Sequence, residues 1–154
     1  MGIYLNPGND LFYEAVNSDI YVDKSMLIDL TNKSLRKTTK HICISRPRRF
    51  GKSMAANMLA AYYDRSCDSR ELFRELAISE TPDFEKHLNK YNVFQIDVRE
   101  FASGSSGGKE MTDKLSKAMR RDLFKDYKNI EFDEGYTLPE MLKEEQFFYD
   151  VFYK

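Results

Sequence analysis

Ser45-Arg46-Pro47-Arg48-Arg49-Phe50-Gly51-Lys52-Ser53 is the stretch on which the fold of this chain turns. Before it stands a short, apolar and largely β-branched run, His41-Ile42-Cys43-Ile44. After it, Met54, Met58, Leu59 and Tyr62 recur at helical spacing. The order strand, tight turn, helix is a setting in which a loop can wrap an anion. Successive backbone N–H groups turn inward, and the following helix presents its positive N-terminal end. In such a phosphate-binding loop Gly51 lets the backbone approach a phosphate, and Lys52 reaches the outer phosphates as the catalytic cation. The Ser53 hydroxyl holds Mg²⁺. Arg46, Pro47, Arg48, Arg49 and Phe50 complete the nucleotide-binding turn. One departure stands out: the G-x-x-x-x-G-K-[ST] pattern places its first glycine where this chain has Arg46. The three arginines, with Lys37 and Lys40, also admit a plainer reading as a solvated basic turn or a small nucleic-acid patch. Guanidiniums would favour a bound phosphate equally well, so the basic run does not separate the two.

Working outward, apolar spacing predicts a short helix over residues 9–17 through Leu11, Phe12, Ala15 and Val16. A brief extended piece follows at Ile20-Tyr21-Val22, then a helix from Asp23 carrying Met26, Leu27 and Leu30. Residues 32–40 are polar and basic and read as a loop, and residues 41–45 as a buried strand. Beyond the helix that follows Ser53, Leu72, Phe73 and Leu76 suggest one short helix. Phe84, His87, Leu88 and Tyr91 suggest another, and residues 93–98 a second strand. Residues 103–108 form a Gly/Ser-rich loop. A longer amphipathic helix over residues 109–127 presents Met111, Leu115, Ala118, Met119 and Leu123 to one side, and residues 138–153 are also expected to be helical.

A chain of 154 residues and 18.1 kDa is the size of one compact domain. Its hydrophobic fraction of 42% is enough to build a core. A formal net charge of -1 gives no global attraction to nucleic acid or membrane, so any basic surface is local. Cys43 and Cys67 cannot make a metal cluster unaided, and nothing points to an oxidising compartment. Cys43, inside an apolar run, is expected to be a small buried hydrophobe. No apolar stretch approaches the roughly 18 to 20 residues of a membrane span, and residues 1–7 lack the pattern of a secretory signal. A cytoplasmic protein is expected.

Asn6-Pro7-Gly8-Asn9, then Ile20-Tyr21-Val22-Asp23-Lys24-Ser25, then the run from Ser45 to Met54 resemble the bacterial AAA-ATPase-like family. Its members are often joined to a C-terminal PD-(D/E)XK nuclease-like domain. In that family Arg-Pro-Arg-Arg-Phe-Gly-Lys-Ser looks like the normal form of the P-loop, which makes Arg46 a family trait. Tyr62-Tyr63-Asp64, Leu72-Phe73 and Lys90-Tyr91-Asn92-Val93 are similar as well, so the likeness covers roughly residues 6–142. It implies an α/β fold, a partial P-loop NTPase (AAA-like) core with a short parallel sheet flanked by helices. It also implies ATP and Mg²⁺ as cofactors. The segment Tyr21-Val22-Asp23-Lys24 resembles the family's signature before the P-loop, placed either near the adenine or a lid, or simply at a helix start capped by Asp23.

The family's later acidic strand is expected shortly after Leu138-Pro139-Glu140-Met141-Leu142 but has no clear counterpart, so residues 1–154 read as a single truncated domain. Asp97 and Asp150 are the candidate substitutes; Asp97 matches the wrong strand by order, and Asp150 falls in a stretch of helical spacing. His41 and His87 read as packing or surface residues. The expected function is ATP binding by an AAA-like ATPase with weak or absent hydrolysis, since phosphoryl transfer needs positioned water and metal. The alternative is a non-enzymatic interaction or inhibitor protein that reuses the scaffold to bind a nuclease or defence effector. Nucleic-acid binding through Arg46, Arg48, Arg49, Lys37 and Lys40 is disfavoured by the net charge.

Overall fold

Seven helices and one 3-10 turn carry the described chain, residues 3–127 except 39, 46 and 48, in the computed structural model. They fall into two compact units, Asn6–Val93 and Met1–Leu5 with Phe94–Lys154. In the first unit the chain runs through α1 (Asp10–Val16), α2 (Met26–Ser34), α3 (Lys52–Tyr63) and α4 (Arg70–Phe73). The 3-10 turn Ala77–Glu80 and α5 (Phe84–His87) complete it. Helix α1 packs on α3, and both α2 and α5 pack on the 3-10 turn. Phe12, Ile28, Met58, Tyr62, Phe73, Ile78 and Phe84 form the core they share. Phe12 stacks on Phe73 at 4.9 Å between ring centroids, and Tyr62 meets Phe73 edge-on at 5.6 Å.

Tyr62 is fully buried, so its hydroxyl requires partners. It donates to the Phe84 carbonyl at 2.7 Å and accepts from Asn32 Nδ2 at 3.0 Å. Asn32 Oδ1 accepts in turn from the Tyr63 hydroxyl at 2.7 Å. Helix α2 therefore runs on past the expected loop start to Ser34, with Asn32 turned inward. Its core contact is Ile28, while Met26 and Leu30, expected to form the apolar stripe, are 47% and 54% exposed. At the same C-terminal end of α3, Asn89 gathers the last carbonyls. Its Nδ2 donates to the Ala61 and Asp64 carbonyls at 3.1 and 2.6 Å, and its backbone N–H to Tyr62 at 2.7 Å. The Asn89 φ of 53° ends α5 after one turn, short of the helix that the spacing through Tyr91 predicts.

The expected parallel sheet is not present among the described residues. Among the described residues β structure amounts to two isolated bridges, Leu5 with Phe94 (antiparallel) and Asp64 with Tyr91 (parallel). Residues 41–45 have no ladder partner there, and all five side chains are exposed, Cys43 included, against the expectation of a buried strand. The partial α/β P-loop core predicted from the sequence is therefore corrected to a mostly helical architecture. An apolar run becomes a strand only when a second segment satisfies its N–H and C=O groups. The segment expected to be the second strand, residues 93–98, makes other contacts. Asn6 donates to the Val93 carbonyl at 2.8 Å, and Val93 N–H to Asn6 Oδ1 at 2.9 Å.

In the second unit, Gln95 N–H donates to the Tyr4 carbonyl at 2.9 Å. Val98, expected to end a strand, instead opens α6 (Val98–Ala102), which packs on α7 (Gly108–Asp126). Helix α7 buries Met119 and Leu123 on the predicted side. It also buries Asp122, whose Oδ2 accepts from the N–H groups of Tyr4 and Leu5 at 2.6 and 3.3 Å. The helix expected over residues 138–153 lies outside the described residues.

Burial pushes the phenols of Tyr62 and Tyr63 up to about 12, and burial together with the Asp23 charge does the same to Tyr21. These groups keep their protons in the folded chain at a pH where the unfolded chain has lost them. Stability should hold to about pH 10 and fall between about 10 and 12. Denaturant unfolding across that range, with phenolate absorbance followed on the native protein, measures it; ionisation of every tyrosine near pH 10 without unfolding would contradict it. Replacing Tyr62 by Phe leaves the Phe84 carbonyl and the Asn32 amide short of a partner. That substitution should cost about 1–3 kcal/mol in a denaturant melt.

Candidate functional site

Gly51 stands at the N-cap of α3 with φ 76° and ψ 23°, a left-handed conformation that suits glycine, and its carbonyl accepts the first helical bond from Ala55 at 2.9 Å. Gly51 has no side chain with which to cap α3, and the first turn carries no acidic residue, so this helix end bears the positive end of its dipole. Two residues earlier Arg49 is also left-handed, with φ 66°. A non-glycine residue pays roughly 1–2 kcal/mol for that conformation, and strain of this kind gathers at ligand loops.

Beside this turn lies a pocket of about 370 Å³ lined by Lys24, Leu27, Ile44, Phe50, Gly51, Lys52 and Ala55. Leu27, Ile44, Phe50 and Ala55 make apolar walls, and Lys24 and Lys52 bring positive charge. Of the predicted site residues, Phe50, Gly51 and Lys52 thus meet at one pocket. Pro47, Arg49 and Ser53 are described but do not line it, Ser53 being exposed on the first turn of α3. Arg46 and Arg48 lie outside the described residues.

Lys24 arrives from the segment before α2, and the residues beside it explain why. The Tyr21 ring meets Phe12 edge-on at 6.2 Å. Asp23 Oδ2 accepts from Ala77 N–H at 2.9 Å and its Oδ1 from Ser25 N–H at 2.7 Å. Burial would raise the Asp23 pKa, but these bonds outweigh it and hold the carboxyl below its usual value. Ser25, fully buried, accepts at Oγ from Ile78 N–H at 3.1 Å. Asp23 does serve the entry to α2, and the same segment carries Lys24 to the loop. Its Nζ lies 3.4 Å from the Phe50 carbonyl oxygen and 2.9 Å from where a Cβ on Gly51 would stand. Leu27, Ile44 and Ala55 were missed as site residues; helical spacing marks Leu27 only as apolar, and nothing in the sequence joins it to Ile44.

The other candidates have structural roles. Asp97 caps α6, accepting from Arg99 N–H at 3.0 Å and pairing with the Arg99 guanidinium, which holds its carboxyl below the ordinary range. His87 Nδ1 and the Tyr91 hydroxyl are hydrogen-bonded at 2.6 Å, and burial followed by the Lys86 charge lowers the His87 pKa. His41 is exposed, and Asp150 lies outside the described residues. No group of three or more His, Cys, Asp or Glu gathers as a metal site among the described residues, and no helix there is long and apolar enough to cross a membrane.

A left-handed Gly51 thus stands directly before Lys52 at the positive N-terminal end of α3. The chain belongs to the AAA-ATPase-like family: the pattern described as a predicted AAA-ATPase matches residues 11–149. No curated protein and no solved structure matches it. Its broad kind is ATPase-like.

Substituting Gly51 by Ala tests the turn. A side chain there meets both the left-handed backbone and the Lys24 ammonium, and the ammonium, at the end of a flexible chain, is the group that yields. The variant should lose about 1–2 kcal/mol of stability in a denaturant melt; an unchanged midpoint would contradict the conformation.

Proposed function

We propose that this chain binds ATP with Mg²⁺ at the pocket beside Gly51 and turns it over slowly at most. The observation that carries the reading is the meeting of two lysines and the uncapped start of α3 at one pocket with otherwise apolar walls. A nucleoside triphosphate has the matching polarity, its phosphates suiting the cationic side and its base the surface of Leu27, Ile44 and Phe50. The volume of about 370 Å³ falls within the range of small-ligand sites. Membership in an ATPase-like family supports the same ligand.

In this reading Lys52 and the first N–H groups of α3 hold the outer phosphates, and Gly51 keeps the approach free of a side chain. Arg46, Pro47, Arg48 and Arg49, which precede Phe50 in the sequence, are the remaining nucleotide-binding residues of this reading. The Ser53 hydroxyl, exposed on the first turn of α3, has the chemistry to ligate Mg²⁺. Bound Mg²⁺ supplies neutralisation of phosphate charge. Hydrolysis also calls for a carboxylate that orients water, and no acidic residue is among the described lining residues. Asp23, next to Lys24 in sequence, is committed to Ala77 and Ser25.

A second reading, a protein partner, is favoured by Met26 and Leu30. They lie one turn apart on α2 and are about half exposed. A chain that stays monomeric in sedimentation equilibrium and whose Met26→Ser/Leu30→Ser variant behaves identically in cells would dispose of it.

Melting the wild type and Lys52→Ala with and without millimolar ATP and Mg²⁺ tests the main reading. At about 100 times the dissociation constant, ligand should add roughly 2.7 kcal/mol of stability to the wild type and little to the variant. A folded wild type whose melting is unmoved by ATP would refute nucleotide binding.

A further inference from the structure

We propose that Lys24 is a second phosphate-binding lysine, brought to the loop from a separate part of the chain to work alongside Lys52. The inference rests on reading the pocket as an ATP site and adds a residue that the Gly-Lys-Ser pattern does not contain.

Position is the first argument. Lys24 and Lys52 line the same pocket although they lie 28 positions apart in sequence. The Lys24 ammonium sits against Gly51, 2.9 Å from the point a Cβ would occupy, the face of the turn that glycine leaves open for a ligand. Its second feature is the quality of the present contact. At 3.4 Å from the Phe50 carbonyl oxygen, the ammonium is beyond the usual 2.7–3.2 Å range for an N–H···O bond. A neutral carbonyl at that distance holds it weakly. A charged phosphate oxygen would form a shorter bond of about twice the strength. The ammonium is therefore parked on an acceptor from which a phosphate can draw it.

The third argument is the anchoring on either side. Asp23 is tied to the Ala77 N–H and Ser25 to the Ile78 N–H, so two consecutive amides of the 3-10 turn grip the residues flanking Lys24. Tyr21 fixes the approach against Phe12. Lys24 itself is exposed and contributes nothing to the core. A backbone held at three points beneath a free-ended cation is costly to arrange for a solvated lysine, and useful for one that must meet a ligand at a set place, because less freedom is lost on binding.

The test measures equilibrium binding of ATP with Mg²⁺, and of inorganic tripolyphosphate, to the full chain at fixed ionic strength. Wild type is compared with Lys24→Ala, Lys24→Gln, Lys24→Arg and Lys52→Ala. Lys24→Ala and Lys24→Gln should each weaken both ligands about tenfold or more, with Lys24→Arg retaining most of the affinity. Their ligand-free melting temperatures should match the wild type, since Lys24 is outside the core. If the wild type binds, Lys52→Ala does not, and Lys24→Ala binds both ligands within about twofold of the wild type, the assignment of Lys24 fails while the ATP site stands. If Lys24→Ala weakens ATP but not tripolyphosphate, Lys24 serves the nucleoside and the phosphate assignment is overturned. A wild type that binds neither ligand overturns the ATP site and this inference with it.

Discussion

Tyr62 brings a phenol ring into the middle of the larger unit, where its hydroxyl must be paired or the burial is costly. The Phe84 carbonyl and the Asn32 amide supply the pairing, and so α2, α3 and the start of α5 are tied to one oxygen atom. Phe73 and Phe84 pack around the ring. Asn89 then closes the end of the same helix by taking up its last carbonyls. Apolar contact alone would permit α3 to rotate or slide; these polar pairings specify one register.

That register has a consequence at the far end of the helix. Twelve residues of α3 span about 18 Å, and the core holds the C-terminal half through Met58, Ala61 and Tyr62. The N-terminal half is free to present Gly51 and Lys52 at the pocket. The 3-10 turn plays the matching part for Lys24: its amides bind Asp23 and Ser25 while Ile78 enters the core. Lys52 thus extends from a helix whose far half lies in the core, and Lys24 from a segment whose neighbours are tied to a turn that enters it.

The helices were legible because a helix satisfies its hydrogen bonds within one segment, so apolar spacing is enough to expose it. α1, α2, α3 and α7 all lie close to where the spacing places them. A strand is a relation between two segments, and the pattern Ile42-Cys43-Ile44 contains no information about whether a partner exists. The strands read from such runs, and the sheet implied by the family resemblance, are absent from the described residues. The one-turn α5 shows a subtler limit: Phe84, His87, Leu88 and Tyr91 have helical spacing, yet Asn89 turns left-handed, which only its bonds to Ala61, Asp64 and Ser69 explain. At the site, Gly51 and Lys52 were visible as a motif. Lys24 was visible only as part of a family-like segment, because its place depends on contacts with residues more than fifty positions away.

The exposure of residues 41–45 also sets the chain's thiol chemistry. Cys43 is open to solvent and adjoins Ile44, a wall of the pocket, whereas Cys67 is partly covered and burial raises its pKa, keeping it in the less nucleophilic thiol form. A sulfhydryl-directed dye therefore has one preferred point of attachment, a single residue from the pocket wall. The chain thus carries its own labelling position beside the pocket that Lys24 and Lys52 line.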